Sequence, residues 1–371
     1  MKVAFIGQKG IPATYGGVER HVEELAVRLA AGGIRPCVYN RRHYNDSPPT
    51  TYRGVDVVTL PSVATKHLDA ISHVAVCTAH AIGHKADVIH YHAVGPALLS
   101  WVPRVAGVPT VVTVHGRDWQ RPKWGGVASA ALRAGEWTAM HAPDETIVVS
   151  SSLARELSAK YGRHARYIPN GITLEETEDP TVLAELGVEP GGYVLFASRL
   201  VPEKGAHYLA EAWLGQRTDM RLVMAGDSSF SSDYVEGLRA TCRRGGGRIV
   251  LPGYVFGPRL AALFRHAALF VLPSDIEGLP IVLLEALGYG TPVLASEIPP
   301  NLEVLDGRGR TFHAGDVQDL ARQLEAALGD LSALQEEATR SAASVIAAYD
   351  WDEVTRQTAA VYEGLAARRR S

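Results

Sequence analysis

Short runs rich in valine and isoleucine alternate with longer segments of helical period along this chain. The first series has five such runs: Val3–Ile6, Val55–Leu60, Asp87–His90, Thr110–Val114 and Thr146–Val149. Strands that alternate with helices in this way form parallel sheets with crossover helices. The first helix is predicted where apolar residues recur at helical spacing from Val18 to Leu29, and Gly32-Gly33 should end it.

A second series of the same kind begins at Tyr193. Its runs are Tyr193–Ala197, Arg221–Ala225, Arg248–Leu251, Leu269–Leu272 and Pro292–Ala295. We interpret the acidic, turn-prone stretch Thr173–Pro190 as a linker between the two series. Past residue 316 the pattern is only helical, with a break at Tyr349–Trp351. A chain of 371 residues exceeds the usual size of one core. The sequence therefore predicts an α/β protein of two doubly wound, Rossmann-like domains, residues 1–172 and 173–350.

The composition limits the compartment and the partners. With 37 Lys and Arg against 40 Asp and Glu, the formal charge of −3 argues against general affinity for nucleic acid or anionic lipid. Cys37, Cys77 and Cys242 form no C-x-x-C pair, so neither a disulfide framework nor a cysteine-based zinc site is encoded. The apolar run Val3–Ile6 is too short for a signal peptide, and no run approaches the roughly 18 apolar residues of a membrane span. We expect a cytoplasmic protein, with peripheral contact at the inner face of the membrane left open and no protein partner inferred.

Glycine marks the loop that joins the first strand to the first helix. Gly16-Gly17 lets backbone N–H groups at a helix N-terminus approach an anion, and the helix dipole adds to the attraction. The spacing is not G-x-G-x-x-G, and the second strand ends at Asn40–Arg42 without an acidic residue to hold a ribose diol. The dinucleotide fingerprint is therefore absent. A tight turn that needs glycine for its dihedral angles is the alternative interpretation.

Two cations follow the first strand of the second series. Arg199 and Lys204 flank one strand end, where they can bind a diphosphate. Ordinary solvated side chains are the alternative, since surface Arg and Lys are common.

Two carboxylates follow the strand Leu269–Leu272. Pro280 suits the first turn of a helix, which leaves Glu277 in the loop and Glu285 more than one turn inside. A carboxylate accepts hydrogen bonds from the vicinal hydroxyls of a ribose, and free amides around Leu279 and Ile281 can meet a phosphate. The alternative is a loop glutamate that serves the helix dipole and a surface glutamate on the helix.

Together these motifs resemble those of glycosyltransferase family 4, whose GT-B fold has two Rossmann-like domains facing across a cleft. The likeness covers nearly the whole chain. It includes Gly16-Gly17, R-x4-K-G at Arg199–Gly205, E-x7-E from Glu277 to Glu285 within EGLPIVLLEALGYGTPV, VVTVHG at Val111–Gly116, IPNG at Ile168–Gly171, and the terminal helix after Trp351.

The resemblance implies a role for each matching residue. Gly16, Arg199 and Lys204 would bind the donor diphosphate, and Glu285 would bind the ribose. Glu277 and His115 would face the hydroxyls of the transferred sugar, and the last helix, 351–371, would pack on the first domain. The full predicted donor-binding set is Gly16, Gly17, Arg199, Lys204, Tyr254, Gly278, Leu279, Pro280, Ile281 and Glu285, and the predicted catalytic set is Arg199, Lys204, Glu277 and His115. The family often has glycine where Pro280 stands, and proline lacks the N–H of one phosphate donor.

Acceptor binding is assigned to His92, Trp119 and Tyr15. The segment Arg117–Trp124 mixes cations with indoles at a strand end, which suits sugar rings or phosphate, with an ordinary surface loop as the alternative. His90 and His92 lie two apart on a strand and point the same way, a spacing that metal hydrolases also use. No metal site is predicted, because no nearby cysteine or carboxylate set completes the ligand shell.

Two further motifs are interpreted as structural. Asp350-Trp351-Asp352 has the D-x-D form of a metal-bound diphosphate site, but it falls at a helix start, where Asp is a common cap. Arg368–Arg370 is interpreted as a frayed, solvated terminus.

The resulting prediction is a hexosyltransferase-type enzyme, retaining and metal-independent, that needs no cofactor. It would move a sugar from a nucleotide diphosphate sugar, with UDP favoured on family grounds, to a glycan or lipid-linked glycan, as in bacterial polysaccharide biosynthesis. Two alternatives stay open at this point. One is a non-catalytic nucleotide-sugar-binding protein of the same fold, and the other is a nicotinamide-dependent oxidoreductase, which the glycine spacing disfavours.

Overall fold

The structure is a computed structural model that describes residues 1–14, 16–44, 47, 49–63, 65, 68–120, 125–228 and 232–370. The chain divides into two compact units. The first comprises Met1–Gly171 and Asp350–Ser371, and the second comprises Ile172–Tyr349.

The first unit is built on an eight-stranded sheet. Its strands are β1 Lys2–Ile6, β2 Arg35–Arg41, β3 Thr51–Tyr52, β4 Val55–Leu60, β5 Val88–His92, β6 Thr110–Val114, β7 Glu145–Val148 and β8 Arg166–Tyr167. Their order is β3-β4-β2-β1-β5-β6-β7-β8. All pairings are parallel except that of β3 with β4. The order reverses at β1, which lies between β2 and β5.

Alternation along the buried strands gives this sheet two hydrophobic faces. On β1, Ala4 and Ile6 belong to one core cluster, whereas Val3 and Phe5 belong to another. Such period-two placement on both faces requires helices above and below the sheet. The helices before the second unit are α1 Gly17–Ala31, α2 Asp69–Gly83, α3 Val94–Ala97, α4 Trp101–Val105, α5 Gly126–His141 and α6 Ser151–Tyr161.

The second unit has a six-stranded parallel sheet in the order β11-β10-β9-β12-β13-β14. Its strands are β9 Tyr193–Ala197, β10 Arg221–Ala225, β11 Ile249–Gly253, β12 Leu269–Leu272, β13 Val293–Ser296 and β14 Arg310–Phe312. Its helices are α7 Thr181–Leu186, α8 Ala206–Leu214, α9 Ser232–Arg244, α10 Gly257–His266, α11 Ile281–Gly288, α12 Pro299–Leu305, α13 Val317–Gly329 and α14 Leu331–Ala348.

Helix α7 changes the interpretation of the segment Thr173–Pro190. That segment is not a simple linker, because it contains a helix whose Val182 and Leu183 are buried in the second unit. The sequence did not predict this helix, because acidic and turn-forming residues surround its two apolar positions, 182 and 183.

The last helix, α15 Trp351–Arg370, belongs to the first unit. Its Tyr362 is fully buried, and the Tyr362 hydroxyl lies 2.6 Å from Nδ1 of His90 on β5. At its start, Trp351 packs so closely on Gly171 that a Cβ atom there would lie 2.4 Å from the indole. The predicted fold class, two Rossmann-like domains with a C-terminal helix that returns to the first, is therefore confirmed.

Among the residues that the structure describes, no helix combines the length and the apolar character that a membrane crossing requires.

Candidate functional site

The second unit places its charged residues where its strand order reverses. Strand β9 lies between β10 and β12, so the loops after β9 and β12 leave neighbouring strands at the same edge of the sheet. Lys204 lies in the first loop and Glu277 in the second. Lys204 Nζ donates a hydrogen bond to Glu277 Oε1 at 2.5 Å, and these side chains are only 15% and 8% exposed. The structure therefore joins two residues predicted to be catalytic in a largely desolvated ion pair.

Gly205 allows the two loops to approach this closely. A short 3₁₀ turn, Pro202–Lys204, ends at Gly205, which has a φ of +68°. A Cβ atom at Gly205 would lie 1.9 Å from the carbonyl oxygen of Pro273, directly after β12. No other residue type fits both the positive φ and this contact. The close approach fixes the turn that carries Lys204 beside the loop that carries Glu277.

Arg199 lies on the same loop as Lys204 but in a different environment. It is half-buried, and within the described part of the chain its guanidinium makes no hydrogen bond or ion pair. The backbone around it is held in place, since Leu200 N donates to Asp227 O at 3.1 Å. A guanidinium group has five N–H donors. Arg199 is therefore a cation on an ordered loop whose donors are available to an anionic ligand.

Helix α11 begins directly after the loop that follows β12, with Pro280 as its N-cap. The N–H groups of its first turn, including that of Ile281, face back toward this loop. Gly278-Leu279 connects the loop to the cap. Glu285 lies further along α11 and is only 3% exposed. The structure thus places Glu285 inside the unit rather than on its surface.

An exposed aromatic pair follows β11. Tyr254 was predicted to lie near the donor base, and its ring stacks on Phe256 with centroids 5.5 Å apart and planes 20° apart. Both side chains are exposed, Tyr254 at 36% and Phe256 at 52%. The sequence analysis missed Phe256, although two aromatic residues separated by one position after a strand are a usable signal.

In the first unit, three imidazoles form a cluster that we call the histidine triad: His21, His92 and His115. His92 ends β5, His115 follows β6, and His21 lies on α1. His92 Nδ1 is 3.0 Å from His115 Nε2, and the His21 ring meets the His115 ring edge-on with centroids 4.7 Å apart. The sequence analysis found His92 and His115 but missed His21. Its position in the first turns of the helix after the glycine loop is the signal that could have revealed it.

Burial keeps the histidine triad neutral. Desolvation lowers the pKa of His21 to about 4. It also lowers the pKa of His92 and His115 well below the usual value, and the neighbouring imidazoles act in the same direction. At neutral pH these side chains therefore offer hydrogen-bond donors and lone pairs but no charge.

The glycine loop of the first unit is occupied by glutamates. Helix α1 begins at Gly17, and Gly16 has a φ of +106°. The Glu19 carboxylate accepts from Lys9 N at 3.0 Å and lies 2.1 Å from the position of a Cβ atom on Gly16. Glu23 accepts from Ala13 N. Gly16-Gly17 was predicted to let backbone N–H groups approach an anion, and the carboxylates of Glu19 and Glu23, in the first turns of α1, were not predicted to lie here.

Trp119, predicted to bind the acceptor, is held by a buried carboxylate. Its Nε1 donates to Glu136 Oε2 at 2.7 Å. Glu136 is only 1% exposed and also accepts from Lys160 Nζ at 2.6 Å and Tyr161 OH at 2.8 Å. The indole orientation is therefore fixed from α5 and α6. Tyr15 and residues 121–124 lie outside the described residues.

The D-x-D motif is a helix start, as interpreted. Asp350 Oδ1 accepts from Asp352 N at 3.0 Å, and Trp351 between them is buried. At the C-terminus, Arg368 Nη2 lies 3.8 Å from Glu145 Oε1.

Comparisons with known proteins match both units of the chain to glycosyltransferase profiles. The profile of Glycosyltransferase Family 4 matches residues 15–176, and that of Glycosyl transferases group 1 matches residues 191–330. The D-inositol 3-phosphate glycosyltransferase of Acidothermus cellulolyticus is 30% identical, over 96% of this chain and 87% of its own.

Solved structures show the same fold. A sucrose-phosphate synthase from Thermosynechococcus elongatus superposes with a TM-score of 0.86 at 21% identity, over 99% of each chain. HepE of Anabaena, solved in complex with UDP-glucose, gives a TM-score of 0.81 at 21% identity, over 98% of this chain and 100% of its own.

Proposed function

This chain belongs to glycosyltransferase family 4, and on that premise we propose that it is a retaining, metal-independent transferase. The reaction moves a sugar from a nucleoside diphosphate sugar to a glycan or lipid-linked glycan. The observation that carries this proposal is the Lys204–Glu277 ion pair, on whose loop Arg199 also lies.

The positive groups in the second unit match the charge that develops in the reaction. Cleavage of the sugar–phosphate bond builds negative charge on the departing diphosphate. Lys204 and the first-turn amides of α11 are held in place before the substrate arrives, and Arg199 adds N–H donors from the same loop as Lys204. Preorganised donors of this kind stabilise a transition state because they need little reorganisation as the charge develops. We assign these groups to the diphosphate, and Glu285 to the ribose.

We propose that the two members of the ion pair contact different groups of the same donor. An ammonium group has three N–H donors, so Lys204 can bind a phosphate oxygen while it holds Glu277. The Glu277 carboxylate has two oxygens that accept hydrogen bonds. One of them can accept a hydrogen bond from a hydroxyl group of the transferred sugar. His115, a neutral imidazole, can donate to or accept from a sugar hydroxyl.

The partner of Glu277 also supports the stereochemical proposal. Glycosidases pair two carboxylates across the scissile bond, whereas the partner of Glu277 is a lysine. We propose that a leaving phosphate oxygen takes the proton of the acceptor hydroxyl. The new glycosidic bond then forms on the face from which the diphosphate departs, so the anomeric configuration is kept.

UDP is the proposed donor nucleotide. HepE of Anabaena was solved with UDP-glucose, which supports UDP here at the level of the fold. The exposed Tyr254–Phe256 stack offers an aromatic surface for a base. On the acceptor side we propose His92, Trp119 and Tyr15.

A thermal-shift panel tests the donor proposal. UDP, GDP, dTDP, ADP, NAD and NADP are each added in EDTA and in magnesium. A ligand at about 100 times its Kd stabilises by roughly 2.7 kcal/mol, which is a readily measured shift. We expect UDP to raise the melting temperature equally in both buffers. A shift with NAD or NADP alone would reject the transferase proposal, and a shift that needs magnesium would reject metal independence.

Turnover separates an enzyme from a binding protein of the same fold. We expect slow hydrolysis of the matching UDP-sugar to free sugar when no acceptor is present. Proton NMR of the first-formed sugar should show the anomer of the donor. Release of the opposite anomer would contradict the retaining mechanism, and nucleotide binding without any hydrolysis or transfer would favour the non-catalytic alternative.

A further inference from the structure

The histidine triad has the composition of a metal-ion site. His21, His92 and His115 each offer one ring nitrogen, and these nitrogens lie within 4.8 Å of one another. The three residues come from α1, the end of β5 and the loop after β6, so the sheet and the helix fix their spacing. Among the described residues this is the only group of three or more histidine, cysteine or acidic side chains with such spacing.

The hydrogen bond of His21 fixes its tautomer. His21 Nδ1 lies 2.8 Å from Asn170 Oδ1. An amide oxygen only accepts, so Nδ1 must carry the proton and Nε2 must carry the lone pair. Metal-binding histidines are oriented by the same arrangement, in which the second ring nitrogen donates to a backbone or side-chain oxygen.

His92 and His115 already have nearly the separation that one ion requires. Two nitrogens bound to a tetrahedral zinc ion, at about 2.0–2.1 Å each, lie about 3.3 Å apart. His92 Nδ1 and His115 Nε2 are 3.0 Å apart. An ion between them would replace one shared proton, which moves to the other nitrogen of the same ring, so both rings stay neutral.

A second feature of His92 points to a ligand independently. Its Nε2 is buried and has no hydrogen-bond partner within the described part of the chain, in a side chain that is 0% exposed. Buried polar atoms without a partner are uncommon in native proteins and require an explanation such as a bound ion. An ion gives this atom a partner only when it binds His92 through Nε2, so the ligand atom of His92 is either Nε2 or the Nδ1 described above.

We propose that the histidine triad binds one divalent transition-metal ion of the zinc class, with a fourth coordination position left for water or a ligand. Neutral imidazoles suit zinc, copper and nickel, whereas magnesium and calcium prefer oxygen ligands.

This site shares His92 and His115 with the proposed acceptor and sugar contacts of the first unit. The transfer reaction needs no ion, and the Lys204–Glu277 pair lies in the other unit. Since His115 is also proposed to face the transferred sugar, a bound ion should inhibit transfer. That consequence rests on the proposed function, whereas the binding itself does not.

Metal titration of the full chain tests the proposal, with any affinity tag removed and with chelator treatment beforehand. Calorimetry with Zn²⁺ should show one ion per chain. Co²⁺ should give the intense visible absorption bands of a low-coordinate nitrogen site, a readout independent of activity. Weak bands typical of octahedral cobalt, or no saturable binding, would overturn the proposal.

Variants locate the ion. His115→Ala should lower the Zn²⁺ affinity at least on the order of 100-fold, because loss of an outer partner alone typically costs 10- to 100-fold. Asn170→Ala removes such an outer partner and should lower the affinity about tenfold or more. Far-UV circular dichroism and melting curves confirm that each variant folds. Should His115→Ala not fold, His21→Gln provides the same test.

The matched control is His84→Ala. His84 stacks on His80 with ring centroids 3.7 Å apart, outside the histidine triad, and the affinity should not change. If His84→Ala abolishes binding while His115→Ala leaves it intact, the ion binds that surface pair and the proposal is wrong.

Discussion

The two units carry opposite kinds of polar chemistry at the edges of similar parallel sheets. In the second unit the strand-end residues are charged: Lys204 and Glu277 form an ion pair, and Arg199 lies on the same loop as Lys204. In the first unit the corresponding residues are three imidazoles that burial keeps neutral. A sheet edge of this kind therefore determines where ligands bind, and the residue types on its loops determine which part of a ligand each unit recognises.

This difference between the units suggests that they recognise different chemical groups of the substrates. Fixed charges suit a diphosphate whose charge grows during bond cleavage, whereas neutral imidazoles suit the hydroxyl groups of a sugar, which need both donors and acceptors. The carboxylates of Glu19 and Glu23 on α1 add to this difference between the units. They already accept hydrogen bonds from Lys9 N and Ala13 N of the glycine loop. We therefore expect the second unit to account for most of the phosphate affinity.

The largest effect is expected for Lys204→Ala. It removes a preorganised cation and leaves the Glu277 carboxylate without its partner. We expect kcat to fall on the order of 100-fold or more, and the affinity for UDP alone to fall as well. Steady-state kinetics and calorimetry measure the two quantities. Arg244→Ala is the matched control, since it removes an exposed cation that pairs with an exposed glutamate, Glu211. Near-normal turnover in Lys204→Ala would remove the diphosphate role.

A smaller effect is expected for His115→Ala, measured in EDTA so that no bound ion contributes. The variant would lose the proposed hydrogen bond to the transferred sugar, which is worth about 1–3 kcal/mol, or roughly 5- to 150-fold in kcat. The affinity for UDP should stay within about twofold of the parent. His164→Ala, at an exposed position, serves as the control. Equal loss of UDP affinity in His115→Ala and Lys204→Ala would break the proposed division between the units.

The fold was predictable because its signals are local. Strands such as Thr110–Val114 and Leu269–Leu272 are continuous β-branched or apolar runs, and the structure has them at those bounds. Strand β14 was missed because Arg310–Phe312 has only three residues and no apolar run. Helix α7 was missed because acidic and turn-forming residues surround its two buried positions.

The contents of the site were harder to predict than its location. The strand ends pointed to Lys204 and Glu277, but no spacing in the sequence shows that their side chains meet, since 73 positions separate them. The same holds for His21 and Asn170, which are 149 positions apart. Such contacts depend on strand order, which one sequence without repeats does not encode in any local pattern.

Gly205→Ala tests how the second unit builds its ion pair. The new Cβ atom would lie 1.9 Å from Pro273 O, at a backbone φ of +68°. Gly191 has a similar φ of +73° and nothing within 4 Å of its Cβ position, so Gly191→Ala isolates the backbone strain. Denaturant unfolding should show Gly205→Ala to be less stable than Gly191→Ala by about 1–3 kcal/mol. Equal stabilities would mean that the loop does not need this close contact.

The smallest expected effect is a difference between the two units in how their stability depends on pH. It arises from His73, a buried histidine outside the histidine triad. Burial lowers the pKa of His73 to about 4. Its Nε2 lies 3.1 Å from Asn40 O, which only accepts, so protonation would place a second proton on Nδ1, beside the Cys77 thiol. The unfolded chain binds that proton below about pH 6.5. The contribution of His73 to stability is therefore fully present above pH 6.5 and is lost as the pH falls toward 4, by up to about 1.4 kcal/mol per pH unit.

His73→Gln keeps a donor for Asn40 O and removes the titration. We expect its first unit to lose less stability than the parent between pH 6.5 and pH 5, by about 1–2 kcal/mol. Hydrogen exchange of the amides in β2 and α2 measures opening of the first unit separately from the second. In the second unit, the exchange of β9 and β12 should respond equally to pH in both proteins. If His73→Gln and the parent lose the same stability in β2 and α2, then His73 is already protonated or solvated in the folded chain, and its burial does not make the first unit sensitive to acid.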